Sequence, residues 1–142
     1  LQFLGDTADD RVDAVGDAVT RAVTGAGVAP FEVTVAGVGA FPSREYVSVV
    51  WAGVTDGADA LRGLHEAVVD ATTPLGFDPP DHEFTPHVTL ARMDDARGKA
   101  AVQRFLDRDP TVGTTTVTAV RLKRSVLGDD GATHETVRQV EL

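Results

Sequence analysis

His87 and Thr89 are the residues whose types and spacing bear most directly on chemistry. They lie in Phe84-Thr85-Pro86-His87-Val88-Thr89-Leu90-Ala91-Arg92, a run that reads as a short strand. Side chains alternate across a strand, so His87 and Thr89 share one face. Val88 and Leu90 turn to the other, where they are expected to anchor the strand in a core. Pro86 stands just before, where a missing N–H is tolerated. An imidazole exchanges protons near neutral pH, and a neighbouring hydroxyl hydrogen-bonds an anion such as phosphate. The same pair also suits a strand histidine beside a strand threonine with no chemistry at all, so the rest of the chain has to decide.

The elements that must position this pair follow from periodicity. Leu1 to Leu4 reads as the tail of a strand, and a helix over about Asp9 to Gly25 carries Val12, Val15, Val19, Ala22 and Val23 at helical spacing. Gly25 and Gly27 stop it. Phe31 to Val38 alternates as a strand, Gly37-Val38-Gly39-Ala40-Phe41-Pro42 ends it, and Tyr46 to Val54 forms the next. A helix from about Asp59 to Thr72 turns Leu61, Leu64, Val68 and Ala71 inward. After the Pro- and Asp-rich loop 74–83 comes the His87 strand, then a helix from about Asp95 to Arg108. Thr114 to Val126 reads as one long strand, Gly128-Asp129-Asp130-Gly131 as a hairpin turn, and His134 to Leu142 as the last strand. Hairpin-joined strands mixed with helices predict an α+β fold with mainly antiparallel sheets. The pattern strand–helix–strand–strand occurs twice and hints at two similar lobes within one domain spanning residues 1–142.

Composition bounds the function. A chain of 142 residues, 42% hydrophobic, suffices for one domain or two small lobes sharing a core. It has no cysteine, which removes disulfides, thiolate metal sites and cysteine nucleophiles. No apolar run approaches the roughly 20 residues of a membrane span, and no signal-peptide pattern is present; a cytoplasmic location with no membrane partner is expected. Of 22 acidic residues 16 are Asp, and of 13 basic residues only Lys99 and Lys123 are lysine, for a net charge of −9. An Asp-rich, Lys-poor surface suits concentrated salt, where charges are screened over roughly 3 Å at 1 M. Asp9, Asp13 and Asp17, at i, i+4 and i+8, repel one another on a helix in dilute buffer. Together these point to a halophile's cytoplasm.

The other candidate motifs are weaker. Gly37-x-Gly39 is too short for a dinucleotide fingerprint and no helix follows it; it reads as a turn bringing backbone close to something. His82 and His87 lack the cysteine or carboxylate that would complete a metal-ligand pattern, so no metal and no cofactor is expected. Ser43 and Ser125 have no histidine–acid partners at recognisable spacing. His65, mid-helix near the apolar stripe, reads as structural or solvated. Arg92 lies just past the His87 strand, Arg44 follows the Gly-x-Gly-x-Phe-Pro segment, and Arg121, Lys123 and Arg124 lie along one strand. Arginines near a site could form an anion pocket within an acidic exterior, or stand as solvated charges on strand edges.

At this point the chain resembles a known family. The segment from Phe84 to Arg92 looks like the second signature of the two-histidine (2H) phosphoesterases, closest to the RNA 2′,3′-cyclic phosphodiesterases first named 2′-5′ RNA ligases. Leu1-Gln2-Phe3-Leu4-Gly5 is like the segment following the family's first His-x-Thr. Gly37-Val38-Gly39-Ala40-Phe41-Pro42 is like its Gly-x-Gly-x-Phe-Pro turn, and Val49-Val50-Trp51-Ala52-Gly53-Val54 is like its Trp-bearing strand. Leu122-Lys123-Arg124-Ser125-Val126-Leu127 with Gly131 is like its closing hairpin. Five segments in register cover essentially the whole chain.

The resemblance implies a bilobal LigT-like α+β fold: two mainly antiparallel sheets, helices outside, and a V-shaped cleft into which each lobe presents one His-x-Thr. It implies metal-independent opening of an RNA 2′,3′-cyclic phosphate to a 2′-phosphomonoester, with 2′-5′ ligation as related chemistry. His87 would be one acid–base residue, taken as the base, with Thr89 on the phosphate. Arg92 would contact phosphate or nucleotide, Phe84 would pack beside a base, and Ser125 in the closing hairpin is a further substrate contact. The partner would be RNA with a cyclic phosphate end, tRNA-derived RNA included, or a small cyclic nucleotide, bound by a monomer. The departures are the first His-x-Thr and its preceding strand and helix: Leu1 matches the position just after that motif's threonine, so an N-terminally truncated, inactive fragment is expected. His65, His82 and His134 match no catalytic position, and His134 stands where relatives carry a tyrosine. A non-catalytic RNA- or nucleotide-binding module of the same fold is the alternative.

Overall fold

The computed structural model describes residues 1–93, 98–108, 110–128 and 131–142. The chain divides into two compact units. The first comprises Leu1–Phe31, Ala60–Phe84 and Val117–Leu142, and the second Glu32–Asp59 and Thr85–Thr116. The α+β class expected from the sequence holds.

In the first unit, helix α1 (Val12–Ala26) follows a single 3₁₀ turn at Asp9–Arg11 and ends where Gly27 takes φ 62°, a left-handed cap that glycine adopts without a Cβ clash. Its buried residues are Val15, Gly16, Ala18, Val19 and Val23, the stripe expected from periodicity; Val12 and Ala22 reach only half-burial. α1 packs on the antiparallel pair β5 (Ala119–Gly128) and β6 (Gly131–Glu141). Val120 and Val140, directly opposite each other, join Val15, Val19, Val23, Leu64, Val68 and Phe77 in one core. Leu64, fully buried, comes from helix α2 (Ala58–Thr72). Also on α2, the buried Thr72 hydroxyl lies 2.9 Å from the Val68 carbonyl and 3.1 Å from Gln2 Oε1.

In the second unit a four-stranded sheet has the order β3 (His87–Arg92), β2 (Val47–Val54), β1 (Phe31–Pro42), β4 (Thr111–Val117). The pairings β1–β2 and β2–β3 are antiparallel. Helix α3 (Lys99–Leu106) contributes Leu106 to the buried residues.

Several expectations are corrected. Leu1 to Leu4 forms no strand; the Leu1 carbonyl is instead bound by His65 and Leu4 packs against the core. The first of the two strand–helix–strand–strand patterns therefore loses its opening strand. Gly37 to Pro42 does not end β1 but lies within it. The long strand over Thr114 to Val126 is two strands, broken at Thr118, with β4 in one sheet and β5 in the other; uniform β-branched composition carries no mark of where a chain changes sheets. Val88 and Leu90 anchor no core, since both are 48% exposed: β3 is an edge strand, covered by one neighbour only. The expected start of the third helix at Asp95 and the Asp129-Asp130 turn lie outside the described residues.

Candidate active site

β3 carries His87, Thr89 and Arg92, and its register against β2 decides which way each points. His87 stands opposite Gly53, Val88 opposite Ala52 and Thr89 opposite Trp51, as simple alternation requires. The register then shifts: Val50 faces Ala91 and Val49 faces Arg92, so Leu90 is an extra residue, a bulge. Strict alternation would put Arg92, five residues on, across the sheet from His87. The bulge restores it to the face of His87 and Thr89. An imidazole, a hydroxyl and a guanidinium thus line one side of an exposed edge strand.

The imidazole is oriented from both ends. Nδ1 lies 2.6 Å from the Thr85 carbonyl oxygen. A carbonyl only accepts, so the ring donates through Nδ1–H, and in the neutral ring Nε2 is left as the basic nitrogen. The ring plane meets Phe41 edge-on at 5.2 Å between centroids, and Trp51 lies 6.1 Å away and 5.2 Å from Phe41. Phe41 stands opposite Val49 on β1, in the same row as Arg92.

The two glycines of Gly37-x-Gly39 make this aromatic floor possible. Gly37 has φ 69° and sits at a register shift between Ala36 and Val38, a second bulge. Gly39 stands opposite Trp51, and a Cβ there would fall 2.1 Å from Trp51 Cζ2. The indole therefore lies across bare backbone. At Gly53, opposite His87, an added Cβ would meet the Ala36 carbonyl at 3.0 Å and the indole at 3.4 Å. The expectation that these glycines bring backbone close to something is met by Trp51 itself; the turn assignment is not. Trp51 Nε1–H is buried with no acceptor among the described residues. Sequence reasoning missed this packing, although glycine and tryptophan in facing strands are its only signal.

The remaining candidates, Arg44 apart, lie in the first unit. Phe84 stacks on His65 at 4.2 Å between centroids and 14° between planes, so one of its faces is taken. His65 is buried and within 2.9 Å of the Leu1 carbonyl, a structural role. Ser125 does meet a histidine: its Oγ lies 2.9 Å from His134 Nδ1, directly across the β5–β6 pair. Sequence spacing hid this because hairpin partners are joined by register, not by a fixed interval. Ser125 also borders a cavity of about 680 Å³ with Lys123, Arg124 and the 2–7 segment. Of the arginines considered as an anion pocket, Arg44 is paired with Asp107 at 2.6 Å and Arg124 with Asp9 at 2.9 Å. His82 binds its neighbour Asp81 at 2.7 Å; that hydrogen bond holds the Asp81 carboxyl below the usual carboxylate range. Among the described residues no three histidine or carboxylate side chains are grouped to hold a metal.

Comparison with known proteins bears on what this constellation is. The sequence model of the 2′-5′ RNA ligase superfamily matches residues 2–129. The chain belongs to that superfamily. Its relatives include the RNA 2′,3′-cyclic phosphodiesterase of Aeropyrum pernix, 34% identical over 99% of this chain and 79% of the relative. The enzyme of the same name from Methanothermobacter thermautotrophicus is 29% identical over 92% of this chain and 70% of its own length. Among solved structures, Escherichia coli LigT complexed with 3′-AMP superposes with a TM-score of 0.75 at 20% identity, covering 99% of this chain and 74% of LigT. The superfamily's fold is therefore the fold of this chain.

Proposed function

We propose that this member of the 2′-5′ RNA ligase superfamily acts as an RNA 2′,3′-cyclic phosphodiesterase, with His87 as an acid–base catalyst. The observation that carries the reading is the face of β3, where the bulge at Leu90 groups His87, Thr89 and Arg92. Relatives named for this activity, at up to 34% identity over nearly the whole chain, supply the reaction.

The chemistry follows from what each group offers. With Nδ1–H held by the Thr85 carbonyl, Nε2 takes a proton from water as it attacks phosphorus. The P–O bond to the ribose 3′-oxygen breaks, and a 2′-phosphomonoester results. Protonating the departing oxygen requires a second acid–base group, the role the family gives to its first His-x-Thr. The Thr89 hydroxyl and the Arg92 guanidinium donate to the phosphoryl oxygens as charge gathers on them. Phe84 and Ser125 serve as nucleotide contacts. RNA ends bearing a cyclic phosphate, tRNA-derived ends among them, or small cyclic nucleotides are the substrates. 2′-5′ ligation is the related activity, and a monomer acting in the cytoplasm is the form. No helix among the described residues is long and apolar enough to cross a membrane.

The test is turnover of an oligoribonucleotide with a 2′,3′-cyclic phosphate by the full-length protein and by its His87→Ala variant. General acid–base catalysis contributes roughly 10²- to 10⁴-fold, and the variant should lose that much of kcat. Equal rates in the two proteins would remove His87 from the mechanism. Binding without turnover by the full-length protein would leave the non-catalytic module.

A further inference from the structure

The β5–β6 hairpin distributes its charges unequally between its two faces. Leu122 stands opposite Arg138, but Lys123 stands opposite Thr136, so Val137 is an extra residue and the alternation of β6 is reset there. On the face turned to α1, every arginine is answered by an acid. Arg124 binds Asp9 at 2.9 Å with Glu135 at 3.9 Å, and Arg138 binds Asp17 at 3.4 Å. On the opposite face, three successive rows are Arg121–Gln139, Lys123–Thr136 and Ser125–His134, and all six residues are exposed. Arg121 Nε donates to the neutral Gln139 amide oxygen at 2.7 Å, and Lys123 has no acidic partner among the described residues. No carboxylate stands in these three rows. Glu141, one row beyond, accepts from Gln139 Nε2 at 2.6 Å, and Asp6 and Asp9 border the cavity that Arg121, Lys123 and Ser125 also line.

In a chain of net charge −9, Arg121 and Lys123 have no ion-pair partner among the described residues and stand in line with a hydroxyl–imidazole pair. Arg44, Arg124 and Arg138 are each paired with an Asp, so the contrast is not one of abundance but of placement. Residues two apart on a strand are separated by about 6.6 Å, and donors so repeated meet a repeating anion better than a single one.

We propose that this face of β5–β6 holds internal phosphodiesters of a single-stranded RNA substrate, through Arg121 and Lys123, with Thr136 and the Ser125–His134 pair as further donors. It would therefore set a preference for oligonucleotides over mononucleotides. The inference rests on the phosphodiesterase reading for the identity of the polyanion, and its own test is separable from that reading.

The experiment compares the full-length protein, an Arg121→Gln/Lys123→Gln variant and an Arg124→Gln control, each first shown by circular dichroism to be folded. Binding of a fluorescent single-stranded oligoribonucleotide with a plain 3′-phosphate is measured by anisotropy across a salt series. Each phosphate contact on single-stranded nucleic acid contributes about 0.7 to the slope of log affinity against log salt. The double variant should therefore lose about 1.4 from the slope, and Arg124→Gln, which removes the same kind of charge from the other face, should lose none. In turnover, the double variant should raise KM for an oligonucleotide with a cyclic end several-fold more than KM for a 2′,3′-cyclic mononucleotide. An unchanged slope, an equal loss in Arg124→Gln, an equal KM change for both substrates, or competition by polyglutamate as strong as by RNA would each overturn the proposal. Absence of all turnover in the full-length protein would refute the phosphodiesterase reading instead, and the salt slopes would still decide the face.

Discussion

Arg92 shares a face of β3 with His87 although it lies five positions further on, because Leu90 is bulged out of register with β2. The odd interval would otherwise aim the guanidinium away from the imidazole. A bulge in a functional strand resets the alternation of the residues beyond it, and Arg92 is re-aimed in that way.

If Arg92 donates to the phosphoryl group, Arg92→Gln removes a hydrogen bond to a charged partner, worth about 1.5–3 kcal/mol. The expected result is a fall of about ten- to a hundredfold in kcat/KM, with the melting temperature unchanged because Arg92 is exposed. Arg92→Lys should recover only part of it, since the ammonium lacks the planar fork. A full recovery by lysine would show that charge alone is needed there. Steady-state kinetics on a cyclic-phosphate substrate reads the difference.

The Gly39–Trp51 contact gives a prediction about stability. A methyl at position 39 would overlap the indole, which must leave its place across the backbone. Overpacking of this kind costs about 1–3 kcal/mol, and Gly39→Ala should lower the denaturation midpoint accordingly while shifting Trp51 fluorescence, the chain's one tryptophan. Combining it with Trp51→Ala should cost much less than the sum of the two, as a double-mutant cycle on touching residues requires. Additive losses would mean that the indole is not what Gly39 accommodates.

What the sequence made legible was whatever follows from a fixed period. The inward stripe of α1, with Val15, Val19 and Val23, and the shared face of His87 and Thr89 both rest on spacing alone. What it hid depended on register. The bulges at Gly37, Leu90 and Val137 each flip the side-chain parity downstream, and none is marked by composition except the first, where glycine takes a positive φ. The Ser125–His134 contact and the sorting of Arg121, Lys123 and Arg124 onto two faces are likewise products of pairing. The exposure of Val88 and Leu90 follows from sheet order, which local sequence does not carry.

The acidic surface carries the last prediction. Asp13 and Asp17 lie on α1 as a like-charged i, i+4 pair, and Asp9 stands in the turn before them. The fold relieves part of that repulsion, since Asp9 binds Arg124 and Asp17 binds Arg138. Both pairs are exposed, where such bridges contribute about 0–1 kcal/mol and weaken as salt rises. Screening therefore acts in two directions: it weakens these two pairs and it removes the self-repulsion of a chain with net charge −9. The repulsion is summed over 22 carboxylates while these pairs are two, so the repulsive part should dominate. The melting temperature should rise between 0.1 M and 2 M KCl. An Arg124→Gln/Arg138→Gln variant should melt lower than the parent in 0.1 M KCl, and the gap should narrow in 2 M. A melting temperature that falls or stays level with salt in the parent would refute adaptation of this surface to concentrated salt.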